Sequence, residues 1–301
     1  MLNFLPAPVL GLLASALLLL NILLWVPLLV LVSLFKLLLP FKSVRLAIDP
    51  LLLQIAQAWI SGNSGWMRLT QAMRWDVTGL DDLSRQQWYL VLCNHQSWVD
   101  ILVLQHVLNR RIPLLKFFLK KELIWVPIMG LAWWALEFPF MRRRSEAYLL
   151  QHPQERGKDA ATTRAACEKY ALIPTSVMNF VEGTRCTAAK QLRQQSPYQH
   201  LLKPKAGGIT LALDAMGEKF GAVLNITIAY PDGTPNFWQF LQGRVPRVVV
   251  HMRTLAVPQA QCSPGQNPEQ ALRETCQVWL NQLWREKDAE LGQLLTKENR
   301  L

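Results

Sequence analysis

Residues 88–104 read WYLVLCNHQSWVDILVL. Trp88–Cys93 is a short apolar run of strand length, and from Trp98 onward apolar residues recur at helical spacing. Between them lies a polar turn, Asn94-His95-Gln96-Ser97. A buried strand that ends in a turn and feeds directly into a helix is the opening of a β–α unit, and the chain repeats the pattern. Thr175–Val181, Val223–Tyr230 and Val245–Met252 read as further strands, while Ser97–Asn109, Lys158–Tyr170 and Lys205–Met216 read as helices. This alternation predicts an α/β domain whose central, largely parallel sheet is flanked by helices.

The same stretch poses a chemical question, because it sets His95 and Asp100 inside apolar surroundings. One answer is structural: Ser97 caps the helix, Asp100 closes a capping box three residues later, and His95 is a loop residue with one hydrogen bond. The other is functional. If the turn folds Asp100 back onto one imidazole nitrogen, the tautomer of His95 is fixed and its other nitrogen is free to take a proton from a hydroxyl. Such a pair needs no acyl-enzyme, and no GxSxG elbow is present to supply one. The nucleophile then comes from the substrate.

A second polar segment, Asn179-Phe-Val-Glu-Gly-Thr-Arg185, follows the strand from Thr175. Ends of strands are where open α/β sheets build their sites. Here Glu182 can hold a polar headgroup or orient Arg185, Gly183 lets backbone approach closely, and Arg185 can fork onto a phosphate. A surface ion pair in a turn is the plainer alternative. Between the two segments, Lys116–Gly130, Leu131–Met141 and Arg142-Arg143-Arg144 set basic groups beside apolar, tryptophan-rich stretches, as at a lipid surface; a solvated basic face explains them as well.

The whole chain of 301 residues carries 32 lysines and arginines against 21 acidic residues, an excess of 11 that favours anionic partners. The five cysteines, Cys93, Cys167, Cys186, Cys262 and Cys276, form no CxxC pair and are expected reduced and buried. The five histidines lack HExxH or Cys/His spacing, so no metal centre is expected.

From Leu2 to Phe35 no charged side chain appears, and about 20 apolar helical residues suffice to cross a bilayer core. The run is too long for the centre of a cleaved signal, so it is expected to remain as an anchor. Lys36, Lys42 and Arg45 follow it, which by the positive-inside tendency puts the rest of the chain in the cytoplasm. A continuous helix would exceed the core, so it must tilt, kink near Pro27 or turn back. The expected organisation is a transmembrane or membrane-embedded segment over 1–45, an amphipathic linker helix over 46–75, and a catalytic domain over 76–301. That domain closes with a helix started by Asn267-Pro268. Thr187–His200 and Pro258–Asn267 read as loops.

Taken in order, Asn94-His95-x4-Asp100, Lys120-Lys-Glu-Leu with Pro127 and Gly130, Phe140-Met-Arg-Arg143, and Phe180-Val-Glu-Gly-Thr-Arg185 resemble the motifs of the lysophospholipid acyltransferase family. The likeness covers residues from about 70 to the end and is nearest to a bacterial inner-membrane branch. It implies that His95 is the general base and Asp100 its orienting partner, and that a lysolipid hydroxyl attacks the thioester of acyl-CoA or acyl-carrier protein with no further cofactor. It also implies an acceptor phosphate on Lys120, Arg143 and Arg185, with Glu182, Gly183 and Thr184 shaping that site. The default acceptor is 1-acylglycerol-3-phosphate, with another lysophospholipid as alternative. Val181 stands where the family has proline, Cys186 where serine is common, and Arg142 where aspartate is frequent. The expected partners are a phospholipid membrane, the lysolipid and the acyl donor, with no nucleic acid. Two other classes compete: a non-catalytic, membrane-tethered anion-binding protein, and a hydrolase that uses water at the same pair.

Overall fold

The computed structural model describes residues 2, 4–39, 41–138, 140, 141, 167, 168, 170, 172–259 and 267–296. Helices α1 (Ala7–Leu38) and α2 (Lys42–Thr70) lead into strand β1 (Arg74–Thr78). Then come β2 (Trp88–Cys93), α3 (Val99–Leu108), β3 (Leu115–Phe117), β4 (Leu119–Lys120), α4 (Met129–Ala135), β5 (Phe140–Met141) and β6 (Ser176–Phe180). The chain continues through α5 (Ala188–Gln194), α6 (Gly207–Met216), β7 (Phe220–Ala229), α7 (Phe237–Leu241), β8 (Arg247–Leu255) and α8 (Pro268–Thr296).

Six strands form the main sheet in the order β1-β8-β7-β2-β6-β3. Every neighbouring pair is parallel except β7 with β8. The central strand β2 is buried on both faces, with Leu90, Val91 and Leu92 fully covered, which is why its sequence is a continuous apolar run and not an alternating one. On one face α1, α2, α3 and α7 cover Val91, Leu224 and Val250; on the other α6 and α8 cover Leu90, Val177 and Val223 with Ile209, Cys276, Leu280 and Trp284. At the carboxyl end of the sheet Cys93 stands level with Phe180 on one side and Ile226 on the other. The segments after β2, β6 and β7 therefore emerge together.

The apolar N-terminal run is one helix with Pro27 inside it. It is the one helix among the described residues that is long and apolar enough to cross a membrane, by length and composition. The return comes after it, because α2 runs back antiparallel along α1. Asn21 of α1 donates to the Trp59 carbonyl and to Asn63 Oδ1, both at 2.9 Å, and near the far end Lys36 pairs with Asp49 at 2.6 Å. The Leu2 N–H donates to the Leu69 carbonyl at 2.8 Å, so the start of α1 and the end of α2 sit side by side next to β1. The first half of α1 also packs on the domain: a Cβ on Gly11 would lie 2.9 Å from Trp238 of α7. Helix α2 starts at Lys42, ahead of the expected linker at 46, and has Pro50 inside it.

Thr187–His200 is not all loop. Thr187 caps α5, its side chain accepting from the Lys190 N–H, and Ala188-Ala-Lys-Gln-Leu-Arg-Gln194 are good helix formers; the polar composition of an exposed helix hid it. Cys93, Cys167 and Cys276 are buried free thiols, whereas Cys186 is half-exposed. The helix expected over Lys158–Tyr170 and the loop over Pro258–Asn267 lie mostly outside the described residues.

Candidate active site

At the end of β2 the chain must stop hydrogen bonding as a strand and turn into α3. Asn94 manages the exit: its amide donates to the Ile228 carbonyl at 2.8 Å and its oxygen accepts the Ile228 N–H at 2.9 Å, so a side chain completes one more rung against β7. His95 follows at once. Its Nδ1 lies 2.8 Å from Asp100 Oδ2, and the same oxygen accepts the N–H groups of Gln96 at 2.7 Å and Ser97 at 2.9 Å. The other oxygen accepts the Tyr230 hydroxyl at 2.6 Å. A carboxylate with four donors around it only accepts, so the proton between it and the ring sits on Nδ1, and Nε2 is left as the basic nitrogen.

The two sequence readings of Asp100 thus converge on one geometry. Its carboxylate takes the Gln96 and Ser97 N–H groups in the turn just before α3, as a capping residue does, and also steers the imidazole. The Ser97 hydroxyl donates to the Pro235 carbonyl at 2.6 Å and accepts the Val99 N–H at 3.2 Å. The Asp100 side chain is 1% exposed and that of His95 12%, so of the pair it is the ring that reaches solvent. One face of the ring stacks on Phe180, with centroids 3.9 Å apart and planes 15° from parallel. Phe117 lies 6.1 Å beyond Phe180, and Phe138 lies 6.3 Å beyond Phe117. This row runs from the imidazole to the apolar cluster shared by α1, α2 and α4.

Both oxygens of Glu182 are turned to backbone. Its side chain is fully buried, with Oε1 accepting the His95 N–H at 3.2 Å and Oε2 the Leu202 N–H at 3.0 Å. Burial pushes its carboxyl up to about 8, against the two backbone donors and Lys287, which lower it. The turn is tightened by Gly183, whose φ of 71° suits a residue without a side chain, and by the Cys186 N–H, which donates to the His95 carbonyl at 2.7 Å. The backbone of His95 is therefore held on both its N–H and its carbonyl by the segment after β6.

The basic residues are spread more widely. The Arg185 guanidinium lies over the Trp98 ring, 4.9 Å from its centroid. Thr184 accepts from Lys190 Nζ at 2.7 Å, and that lysine also donates to the Arg185 carbonyl at 2.9 Å. Lys120 is exposed on β4, level with Met141 of β5; Arg143 lies outside the described residues. Sequence reasoning missed Tyr230 as part of the site, and it quoted Asn94 and Phe180 within the motifs without giving either a role. A signal existed for all three, since each stands at the carboxyl end of a strand or in the turn after it.

Comparison with known proteins agrees with this picture. The family model described as Acyltransferase matches residues 74–231, which contain His95, Asp100, Glu182 and Tyr230. Lysocardiolipin acyltransferase 1 of Gallus gallus is 23% identical over 79% of this chain and 62% of its own length. The 1-acyl-sn-glycerol-3-phosphate acyltransferase delta of Mus musculus is 27% identical over 66% of this chain and 51% of its own. This chain thus spans about half to three-fifths of the length of those relatives. The crystal structure of the 1-acyl-sn-glycerophosphate acyltransferase PlsC from Thermotoga maritima superposes with a TM-score of 0.53 at 15% identity, covering 93% of this chain and 97% of that one, and so shares the fold.

Proposed function

We propose that this chain, which belongs to the acyltransferase family, transfers a fatty acyl group from an acyl thioester to the free hydroxyl of a lysophospholipid. The reading rests above all on the His95–Asp100 contact of 2.8 Å in a buried turn, with the imidazole the more exposed member of the pair. His95 Nε2 takes the hydroxyl proton as the oxygen attacks the thioester carbonyl. The C–S bond then breaks, and the departing thiolate recovers that proton from the imidazolium, which Asp100 stabilises in the interval. A group positioned in this way is worth about 10²–10⁴ in rate.

The acceptor we favour is 1-acylglycerol-3-phosphate, because Arg185 and Lys120 supply cations for a phosphate. A second lysophospholipid is supported by the name of the lysocardiolipin relative. The donor is acyl-CoA or acyl-carrier protein. We place the protein on the bacterial inner membrane with its catalytic domain on the cytoplasmic side. Leu12, Leu20, Leu24 and Leu31 of α1 are exposed, as are Trp125 and Leu131 near α4; together they make an apolar surface of the kind that enters lipid. Because the start of α1 lies beside the end of α2, we favour a pair of helices embedded from one side over a single crossing.

The test is a panel of lysolipids in phosphatidylcholine vesicles, with palmitoyl-CoA and palmitoyl-acyl-carrier protein as donors. A diacyl product is expected, and His95→Ala should remove it by at least about 10²-fold while vesicle binding stays. Release of free fatty acid with the lysolipid untouched would make the protein a hydrolase. Undiminished transfer by His95→Ala would sink the mechanism.

A further inference from the structure

The segment that leaves β7 reaches back to the His95 turn at three points. The Tyr230 hydroxyl donates to Asp100 Oδ1 at 2.6 Å, the Thr234 hydroxyl donates to Gln96 Oε1 at 3.2 Å, and the Pro235 carbonyl accepts the Ser97 hydroxyl at 2.6 Å. Asn236 then opens α7 with a capping box: its Oδ1 accepts the Gln239 N–H at 2.8 Å and its own N–H donates to Gln239 Oε1 at 2.9 Å. The far side of α7 rests on the two N-terminal helices. Gln71, the residue after α2, donates to the Phe240 carbonyl at 2.6 Å, and Trp66 of α2 meets the Phe240 ring edge-on, with centroids 5.9 Å apart. Gly11 of α1 faces Trp238, and a Cβ there would lie 2.9 Å from the indole and 3.0 Å from Gln242.

We propose that Trp238 is a positioning residue for the transfer: seated against Gly11 of α1, it sets α7 and, through the Tyr230–Asn236 segment, holds the turn that carries His95. This rests on the reading of His95 as the base. Helix α1 then frames the site as well as anchoring the chain.

The path is short and stiff at each step. Five residues, Pro231-Asp-Gly-Thr-Pro235, join Tyr230 to Asn236. Two of them are prolines, whose φ is fixed, and the Gly233 N–H closes a turn onto the Tyr230 carbonyl at 3.0 Å. A displacement of α7 is therefore passed on to the Pro235 carbonyl and not absorbed on the way. That carbonyl holds the hydroxyl of Ser97, and the Ser97 N–H donates to Asp100 Oδ2 at 2.9 Å. The same carboxylate oxygen lies 2.8 Å from His95 Nδ1. At the other end of the path Gly11 is the narrow point. A side chain there must push the indole or α1 aside, because carbon atoms in contact settle about 3.5–4.0 Å apart. Misplacing a reacting group by about 1 Å can cost about 10²-fold in rate.

The experiment measures kcat and KM of the full chain in phosphatidylcholine vesicles with palmitoyl-CoA and 1-acylglycerol-3-phosphate. Gly11→Val should lower kcat by about tenfold with both KM values and vesicle binding unchanged, and Gly11→Ala should lower it by less. Trp238→Ala, which empties the seat from the other side, should give the same pattern, so the result does not hang on one variant folding. Ser97→Ala cuts the path at Pro235; it should lower kcat by itself, and adding Gly11→Val should cost at most about twofold more. Nitrogen NMR of histidine-labelled protein gives a readout independent of turnover: the His95 ring signals, assigned by their loss in His95→Ala, should shift in Gly11→Val and in Trp238→Ala. An unchanged kcat in Gly11→Val, a fall accounted for by lost vesicle binding, a fully multiplicative loss when Ser97→Ala and Gly11→Val are combined, or His95 signals that stay at their wild-type positions would overturn the assignment. An inactive wild type, or an active His95→Ala, would instead sink the transfer reading on which it stands.

Discussion

The turns after β2 and β6 leave the same edge of the same sheet, level with one another, and each carries a single buried carboxylate. The Asn94–Asp100 turn points its carboxylate at an imidazole, with two backbone N–H groups and a tyrosine completing the shell. The turn from Phe180 to Arg185 points its carboxylate at backbone alone, and the backbone belongs to other segments. In the reaction we propose, the first turn performs the proton transfer, and the second is bonded to it through the His95 N–H. Burial thus does different work in the two: around Asp100 it fixes a tautomer, and around Glu182 it fixes a chain path.

The largest expected effects test the first turn. Asp100→Ala should cost most of the about 10²–10⁴ of a general base, because the imidazole loses its tautomer and Gln96 and Ser97 lose their acceptor. Asp100→Asn should be milder. Its amide oxygen can take the three donors now on Oδ2, and its NH₂ can donate to the Tyr230 hydroxyl, so the tautomer survives and only the charge opposite the imidazolium is lost. A fall in kcat of about ten- to a hundredfold is expected. Equal losses in the two variants would show that charge, not tautomer, is what the turn supplies.

The second turn answers to stability first. In Glu182→Gln one oxygen becomes an NH₂ that faces a backbone N–H, costing about 1–3 kcal/mol for the unsatisfied buried donors. A carboxyl raised by burial from its ordinary 4.5 to about 8 contributes stability that is complete below the lower value and is lost as pH rises through the upper one. The wild type's lead over Glu182→Gln in thermal midpoint should therefore shrink between about pH 5 and about pH 8. A lead that stays constant over that interval would mean Glu182 is ionised throughout.

Sequence reached the first turn better than the second, for a physical reason. His95 and Asp100 are five positions apart on one strand–turn–helix unit, so local chemistry alone could bring them together, and the apolar run of β2 placed them at a sheet end. Glu182 meets His95 and Leu202 across the sheet edge, and no local spacing foretells which of its neighbours a buried carboxylate will face. The sheet class followed from alternating elements, but β1, β3 and the short pair β4 with β5 are too brief or too mixed in composition to announce themselves. The helix α5 was hidden because an exposed helix needs no apolar stripe. The return of α2 along α1 depends on Asn21 meeting Trp59 and Asn63, contacts that composition does not signal.

Tyr230 tests how far the two turns are independent, because it reaches Asp100 from the end of β7. Tyr230→Phe keeps the ring and removes the donor, leaving Oδ1 unpaired in a buried site. The protein should lose about 1.5–3 kcal/mol, and kcat should fall only a few-fold, because Oδ2 still carries the imidazole. Thermal melts beside single-turnover rates would check both. A loss as deep as that of Asp100→Ala would move Tyr230 from the support of the carboxylate into the proton path itself.

The smallest effect belongs to Gly183, and it separates the two turns most cleanly. Its φ of 71° lies in the left-handed region, where a Cβ costs about 1–2 kcal/mol. Gly183→Ala should therefore lower the thermal midpoint by a few degrees. If the segment after β6 only braces the site, relaxation of this turn should reach His95 through Glu182 and lower kcat with both KM values. If the segment instead touches the acceptor through Thr184 and Arg185, the KM for 1-acylglycerol-3-phosphate should rise alone while kcat and the donor KM stay put. The division of labour between the two turns predicts the first pattern, because Glu182, one residue from the strained position, is bonded to backbone on both its oxygens.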